Sequence, residues 1–93
     1  MAHAQIEPAQ QLVWHLRSLS AAEAVGGERV RAFYPSLYAN LAEVNLRLGN
    51  QSEARRWIAR ARETAPILPA DGYARMIRSL IERVERAVEL AEN

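Results

Sequence analysis

The sequence predicts an all-α fold of four helices, at about residues 5–25, 28–48, 51–65 and 71–91. Three observations predict it. Apolar residues recur at three- and four-residue steps through most of the chain, the spacing that lines one face of a helix. Residues that end or start helices fall between these stripes, at Gly26-Gly27, Gly49-Asn50 and Pro66. The stretch YANLAEVNLRLGNQSEARRWIARARETAP, residues 38–66, carries two stripes with only Gly49-Asn50 between them, so its helices must fold back on one another. A plain four-helix bundle is the alternative arrangement.

In the first helix, Pro8 suits an opening turn, and Leu12, Val13, Leu16, Leu19, Ala22 and Val25 keep helical spacing up to the glycine pair. Residues 1–7, which include His3, are expected to fray. In the second helix, Glu28 sits near the amino end, where the macrodipole favours an acid. Its stripe is Val30, Phe33, Leu37, Leu41, Val44 and Leu48. Pro35 interrupts this stripe and removes the amide that would bond the Arg31 carbonyl, so a kink near residues 31–35 is predicted. A fresh helix starting at Pro35 is the alternative. Phe33, Tyr34 and Tyr38 cluster there, and read as packing between the first and second helices or as an aromatic grip on a peptide.

Gly49 closes the second helix, and Asn50 with Glu53 has capping-box spacing for the third. Ala54, Trp57, Ile58, Ala61 and Ala65 line the third helix, and Pro66 stops it. Its outer face carries Arg55, Arg56, Arg60 and Arg62, with Glu53–Arg56 and Arg60–Glu63 spaced to pair. Ile67 and Leu68 are expected to tuck under the hairpin. Asp71 caps the last helix, which has Tyr73, Ile77, Leu80, Ile81, Val84, Val88 and Ala91 on its stripe. Met76 and Ile81 widen that stripe, and Arg78, Glu82 and Arg86 form a charged ladder at four-residue steps.

A chain of 93 residues makes one domain, residues 1–93, with a modest core. Its 49% hydrophobic and 25% charged content is that of a folded protein. A net charge of +1 gives no global pull toward nucleic acid or anionic lipid. All 12 basic residues are arginine, which accords with a GC-rich genome and favours bidentate carboxylate pairing. With no cysteine there are no disulfides, thiolate nucleophiles or cysteine zinc sites. No apolar run approaches the ~20 residues that span a bilayer. The start MAHAQIEPAQ lacks a basic region before an apolar core, so a signal peptide is not expected and the default is cytoplasmic.

Residues 38–66 also resemble the tetratricopeptide repeat family, and the chain reads as a bacterial protein of that kind. Tyr38, Leu41 and Ala42 stand where the family pattern has an aromatic and Leu-Gly. Gly49, Ala54, Ile58, Ala61 and Pro66 match its turn and second helix. Ala42 replaces the usual glycine, Asn45 a tyrosine and Ile58 an aromatic. The resemblance implies an α-α superhelix fragment. Leu12, Leu16 and Leu19 precede Ala54, Ile58 and Ala61 by a constant 42 residues, so the first helix reads as the second half of a preceding repeat. The last helix then reads as the terminal helix that closes such arrays, and the chain as the C-terminal part of a larger array or as one completed by another chain. In similar proteins a concave side, lined by the first helix of each pair, holds an extended peptide or a partner helix. Here that implies Ala39, Glu43, Leu46, Arg47, Arg75, Arg78 and Glu82. Arg47, Arg75 and Arg78 would offer a basic patch to an acidic segment or a C-terminal carboxylate.

Catalysis is not expected. His3 and His15 are the only histidines, and no Ser-His-Asp order, HExxH, phosphate loop or paired buried carboxylates appears. No metal or cofactor is implied. The expected role is a non-catalytic protein-interaction module, a scaffold or adaptor for a peptide or partner helix. Stable stacking takes ~3 repeats, so self-association into a dimer through Leu12, Leu16, Ile77, Leu80, Ile81, Val84 and Val88 is also expected, or a purely structural homo-oligomeric role. Nucleic-acid binding through the arginine-rich third helix ranks third.

Overall fold

In the computed structural model, residues 7–27, 31–68 and 71–92 are described. They form four α-helices: α1 (Pro8–Val25), α2 (Tyr34–Arg47), α3 (Gln51–Thr64) and α4 (Gly72–Glu92), with a 3-10 turn at Ala65–Ile67 after α3. No strand occurs among the described residues. The fold is all-α, as the apolar spacing predicts. The expectations on residues 1–6, His3 included, and on Glu28 and Val30 lie outside the described residues.

Helix α1 starts with Pro8 in its first turn and ends at Gly26, whose amide bonds the Ala22 carbonyl at 3.0 Å with φ at 65°. The expectation of one kinked helix over residues 28–48 is corrected. Ala32 and Phe33 form a turn, and α2 begins afresh at Tyr34 with Pro35 as its second residue. A first-turn proline has no helical bond to lose, so a break costs less than a kink through the middle of a helix.

The α2–α3 connection is the tightest joint in the molecule. Gly49 adopts a φ of 81°, the Gly49 amide bonds Leu46 O at 3.1 Å and the Asn50 amide bonds Asn45 O at 2.8 Å. This pair of bonds is a Schellman motif, which satisfies carbonyls left open at a helix end. The expected capping box does not form. The Asn50 side chain turns back instead, and its Nδ2 donates to Asn45 Oδ1 at 3.3 Å. Asn45 is only 3% exposed, and its own Nδ2 donates to the Leu41 carbonyl at 2.8 Å. A buried amide requires partners for both ends, and Asn50 supplies the second. Glu53 is left to pair with Arg56 at 3.5 Å. At the other cap the expectation holds: Asp71 Oδ1 accepts from the Ala74 amide at 2.8 Å.

Helix α2 is the central rod. Its most extensive packing is with α3; α1 lies along α2, and α4 lies against both α2 and α3. Interhelical contacts set the directions. Gln11 meets Arg47 and His15 lies near Glu43, so α1 is antiparallel to α2, and Arg62 meets Glu85 while Gln51 Nε2 bonds Ala91 O, so α4 is antiparallel to α3. The main core is Ala39 and Ala42 of α2, Ala54, Ile58 and Ala61 of α3, and Ala74, Ile77, Ile81, Val84 and Val88 of α4, with Ala65 and Leu68. Alanines at the contacts let the rods approach closely. Leu41 and Val44, on the other side of α2, and Leu19 of α1 are buried outside that cluster. Leu68 tucks in as expected, whereas Ile67 stays exposed.

The aromatic residues pack differently from the expectation. Tyr34 stacks on Tyr38 and Tyr38 on Trp57 of α3, each at 5.7 Å between centroids, and Arg60 lies over the Trp57 ring at 5.4 Å. The ladder ties α2 to α3 rather than to α1, and Phe33 remains exposed.

Truncating Ile81 or Leu41, both fully buried, to alanine is expected to lower the unfolding free energy by about 2–5 kcal/mol in urea titrations. Leu90→Ala on the open side of α4 stays within about 0.5 kcal/mol. Gly49→Ala costs about 1 kcal/mol or more, because the turn needs a left-handed backbone there.

Candidate partner-binding surface

Two neighbouring surfaces remain open around α2 and α4. On α2, Ser36, Asn40, Glu43 and Arg47 form a row at helical spacing that points away from α3. Helix α1 borders the C-terminal half of this row. Arg47 Nη1 donates to Gln11 Oε1 at 3.5 Å and Nη2 lies 3.7 Å from Glu43 Oε1. His15 is close enough to Glu43 to feel its charge. Helix α4 borders the other end, where Tyr73 OH donates to Ser36 Oγ at 3.3 Å. Trp14 on α1 is 54% exposed, Met76 on α4 is 60% exposed and Phe33 ahead of α2 is 56% exposed. Each of these three helices thus carries, on it or just ahead of it, at least one large apolar side chain more than half exposed.

The predicted concave residues are divided among three settings. Glu43 and Arg47 lie on the open row. Ala39 is fully buried and Leu46 is half-buried against the core, so neither lines an open surface. Arg78 donates to the Leu68 carbonyl at 3.3 Å, beyond the end of α3. Arg75 and Glu82 share that flank of α4, away from the Tyr73 side that meets α2. Arg47, Arg75 and Arg78 therefore do not assemble into one basic patch. The residues of α4 nearer the α2 row are Tyr73, Met76 and Leu80. In the sequence Met76 already widens the stripe of this helix, but the expected partner surface falls on Arg75, Arg78 and Glu82, because both sides of the buried stripe look amphipathic.

The predicted self-association set is also corrected. Ile77, Ile81, Val84 and Val88 are covered within the single chain by the α2–α3 hairpin, so they offer nothing to a second copy. Leu80 and Leu12 are half-buried, and Leu16 is exposed. The open apolar residues of α1 are Val13, Trp14, Leu16 and Val25.

The outer face of α3 is charge-compensated. Arg56 pairs with Glu53, Arg60 covers Trp57, Arg62 grips Glu85 through Nε and Nη2, and Arg55 is engaged as well. The expected Arg60–Glu63 pair gives way to the tryptophan contact. An open cleft of about 270 Å³ runs between α3 and α4, floored by Ile58 and Val88 and rimmed by Arg55, Glu85 and Glu89. Among the described residues, no three His, Asp or Glu side chains gather in a metal-holding group, and no helix is long and apolar enough to cross a membrane. Comparison with known protein families, with curated proteins and with solved structures finds no match.

Burial on α2 lowers the pKa of His15 below 6.5, and the Glu43 carboxylate offsets part of that shift. The folded protein therefore holds fewer protons than the unfolded chain just below pH 6.5. Stability is expected to be full above that pH, to fall as the pH drops through 6.5, and to level off below the lowered folded value. His15→Gln removes this part of the pH dependence. Urea titrations of both proteins across this range check it; identical pH slopes exclude the histidine as the source.

Proposed function

We propose that this chain is a non-catalytic protein-interaction module, of the tetratricopeptide-like kind its hairpin resembles. It binds a partner segment over the open row of α2 and the adjoining flank of α4. The observation that carries this reading is the exposed Met76 beside a polar row already braced from both sides, by Gln11 of α1 and Tyr73 of α4. A braced polar row orients a partner, and uncovered apolar side chains supply the burial that holds it. The packing of α2 between α1 on one side and α3 and α4 on the other supports the stacked-repeat reading, as do the Schellman turn and the alanine contacts. A cytoplasmic location fits such a module.

Self-association is the second reading, favoured by the uncovered Val13, Trp14 and Leu16 of α1. Sedimentation of the wild type against Trp14→Ala tests it: a dimer that the substitution dissociates supports the reading. Nucleic-acid binding ranks below both, because the arginines of α3 are already engaged.

Selection of displayed peptides against the purified protein tests the primary reading. Selected binders are expected to lose about tenfold or more in affinity to Met76→Glu and to be unaffected by Arg56→Ala on the outer face of α3. A selection whose binders ignore Met76→Glu, or that yields none, overturns it.

A further inference from the structure

Helix α4 carries two rows of heptad spacing. The first, Ala74, Ile77, Ile81, Val84 and Val88, is buried in the core. The second is Tyr73, Met76, Leu80, Arg83, Ala87 and Leu90, again at alternating steps of three and four. Tyr73 is 40%, Met76 60% and Leu90 69% exposed, while Leu80 and Ala87 are half-buried. This mean step, close to the helical period, keeps the row on one face over several turns, for ~25 Å at the helical rise. Apolar side chains repeated this way are knobs for the holes of another helix; an extended peptide reads a different spacing.

Charge narrows the occupant further. Arg83 sits in the middle of the second row, with Arg86 one turn on and nearer the outer face of the helix. Neither has a hydrogen-bond or ion-pair partner among the described residues. Glu82, Glu85 and Glu89 lie on the flank toward α3, where Glu85 is held by Arg62 and Glu89 rims the α3–α4 cleft; Glu82 and Glu89 stand four and three residues from Arg86, whereas no acid stands three or four residues from Arg83. The row is therefore apolar, with Arg83 as its basic centre. A second copy fits it poorly. Antiparallel pairing about a two-fold axis sets Tyr73 on Leu90, Met76 on Ala87 and Leu80 on Arg83, which brings the two Arg83 side chains within one turn of each other. Parallel pairing sets Arg83 on Arg83. Both place like charges in a partly dry seam.

We infer that the Tyr73–Leu90 row of α4 is a docking seam for one amphipathic helix of a partner protein, whose apolar stripe carries an aspartate or glutamate opposite Arg83. The inference rests on the interaction-module reading and specifies its partner. The acidic residue sets the register, as a single polar position does in a helix pair, and Met76, Leu80 and Ala87 supply the apolar contact.

Two synthetic helical peptides of about three heptads test this. They share a leucine stripe and differ only in a central Glu or Lys. Binding is read by fluorescence anisotropy and by amide shifts of the labelled protein. The Glu peptide is expected to shift residues 73–90 and to bind about tenfold more tightly than the Lys peptide. Arg83→Glu, on a surface position that leaves the fold intact, reverses the preference, and Met76→Glu removes binding of both. Equal affinities, no binding, or shifts confined to other helices overturn the inference. So does a dimer of the chain alone that Met76→Glu dissociates, which assigns the seam to a second copy. Displayed binders that depend on Met76 but are proline-containing and extended leave the module reading standing and overturn the helix.

Discussion

The fold depends on how α2 ends. Six residues, Asn45 to Asn50, reverse the chain, and the reversal is held by polar groups rather than by apolar contact. Two amides close back onto Asn45 and Leu46, and the Asn45 side chain, almost wholly buried, donates to Leu41 O through Nδ2 and accepts from Asn50 at Oδ1. With this buried amide satisfied, the site costs little; stripped of one partner it would carry the full desolvation penalty of the other. The turn sets α3 against α2 in antiparallel register, and that register in turn creates the groove that α4 fills.

Small residues turn the register into a core. Five alanines at the contacts of α2, α3 and α4 are wholly excluded from solvent, while Ile77 and Ile81 fill the groove between the hairpin rods. Helix α1 shares none of this. It lies along α2 alone as its main neighbour, and Leu19 is its single fully buried side chain. Stability is consequently uneven along the chain: the hairpin with α4 forms one cooperative body, and α1 is the element most readily released. The half-buried His15 occupies this weakest interface, which is where a protonation change acts on the least stable part of the molecule.

Much of this was legible in the residues. The Gly49 turn, the stripes of α3 and α4 and the Asp71 cap follow from spacing and from the stereochemistry of glycine and proline. Other features were not. Pro35 is compatible with a kink or a break, and only tertiary packing decides. Asn50 has capping-box spacing, yet the demand of the buried Asn45 outweighs it, and nothing local announces that demand. The candidate site suffered most. Periodicity locates the buried row of α4 but not the flank that borders α2, so Arg75, Arg78 and Glu82 were placed on the wrong side of the helix. Ile77, Ile81, Val84 and Val88 looked available to a second copy because the groove that covers them exists only once the hairpin has formed.

The division of charge on α4 shows how internal packing shapes an external surface. A net charge of +1 over the chain suggests no electrostatic character. Around α4, however, the carboxylates gather on one side: Glu82, Glu85 and Glu89 lie on the flank toward α3, and Arg83 stands on the other. Glu85 is engaged by Arg62, which steadies α4 against α3, and Glu89 faces the same cleft. Each acid used toward α3 is an acid withheld from Arg83 on the far side. The ion pair contributes little to stability by itself, since it lies at a partly exposed position. Its larger effect is to leave the apolar row with a positive centre, and that asymmetry gives an otherwise plain amphipathic helix a preference for one sign of partner.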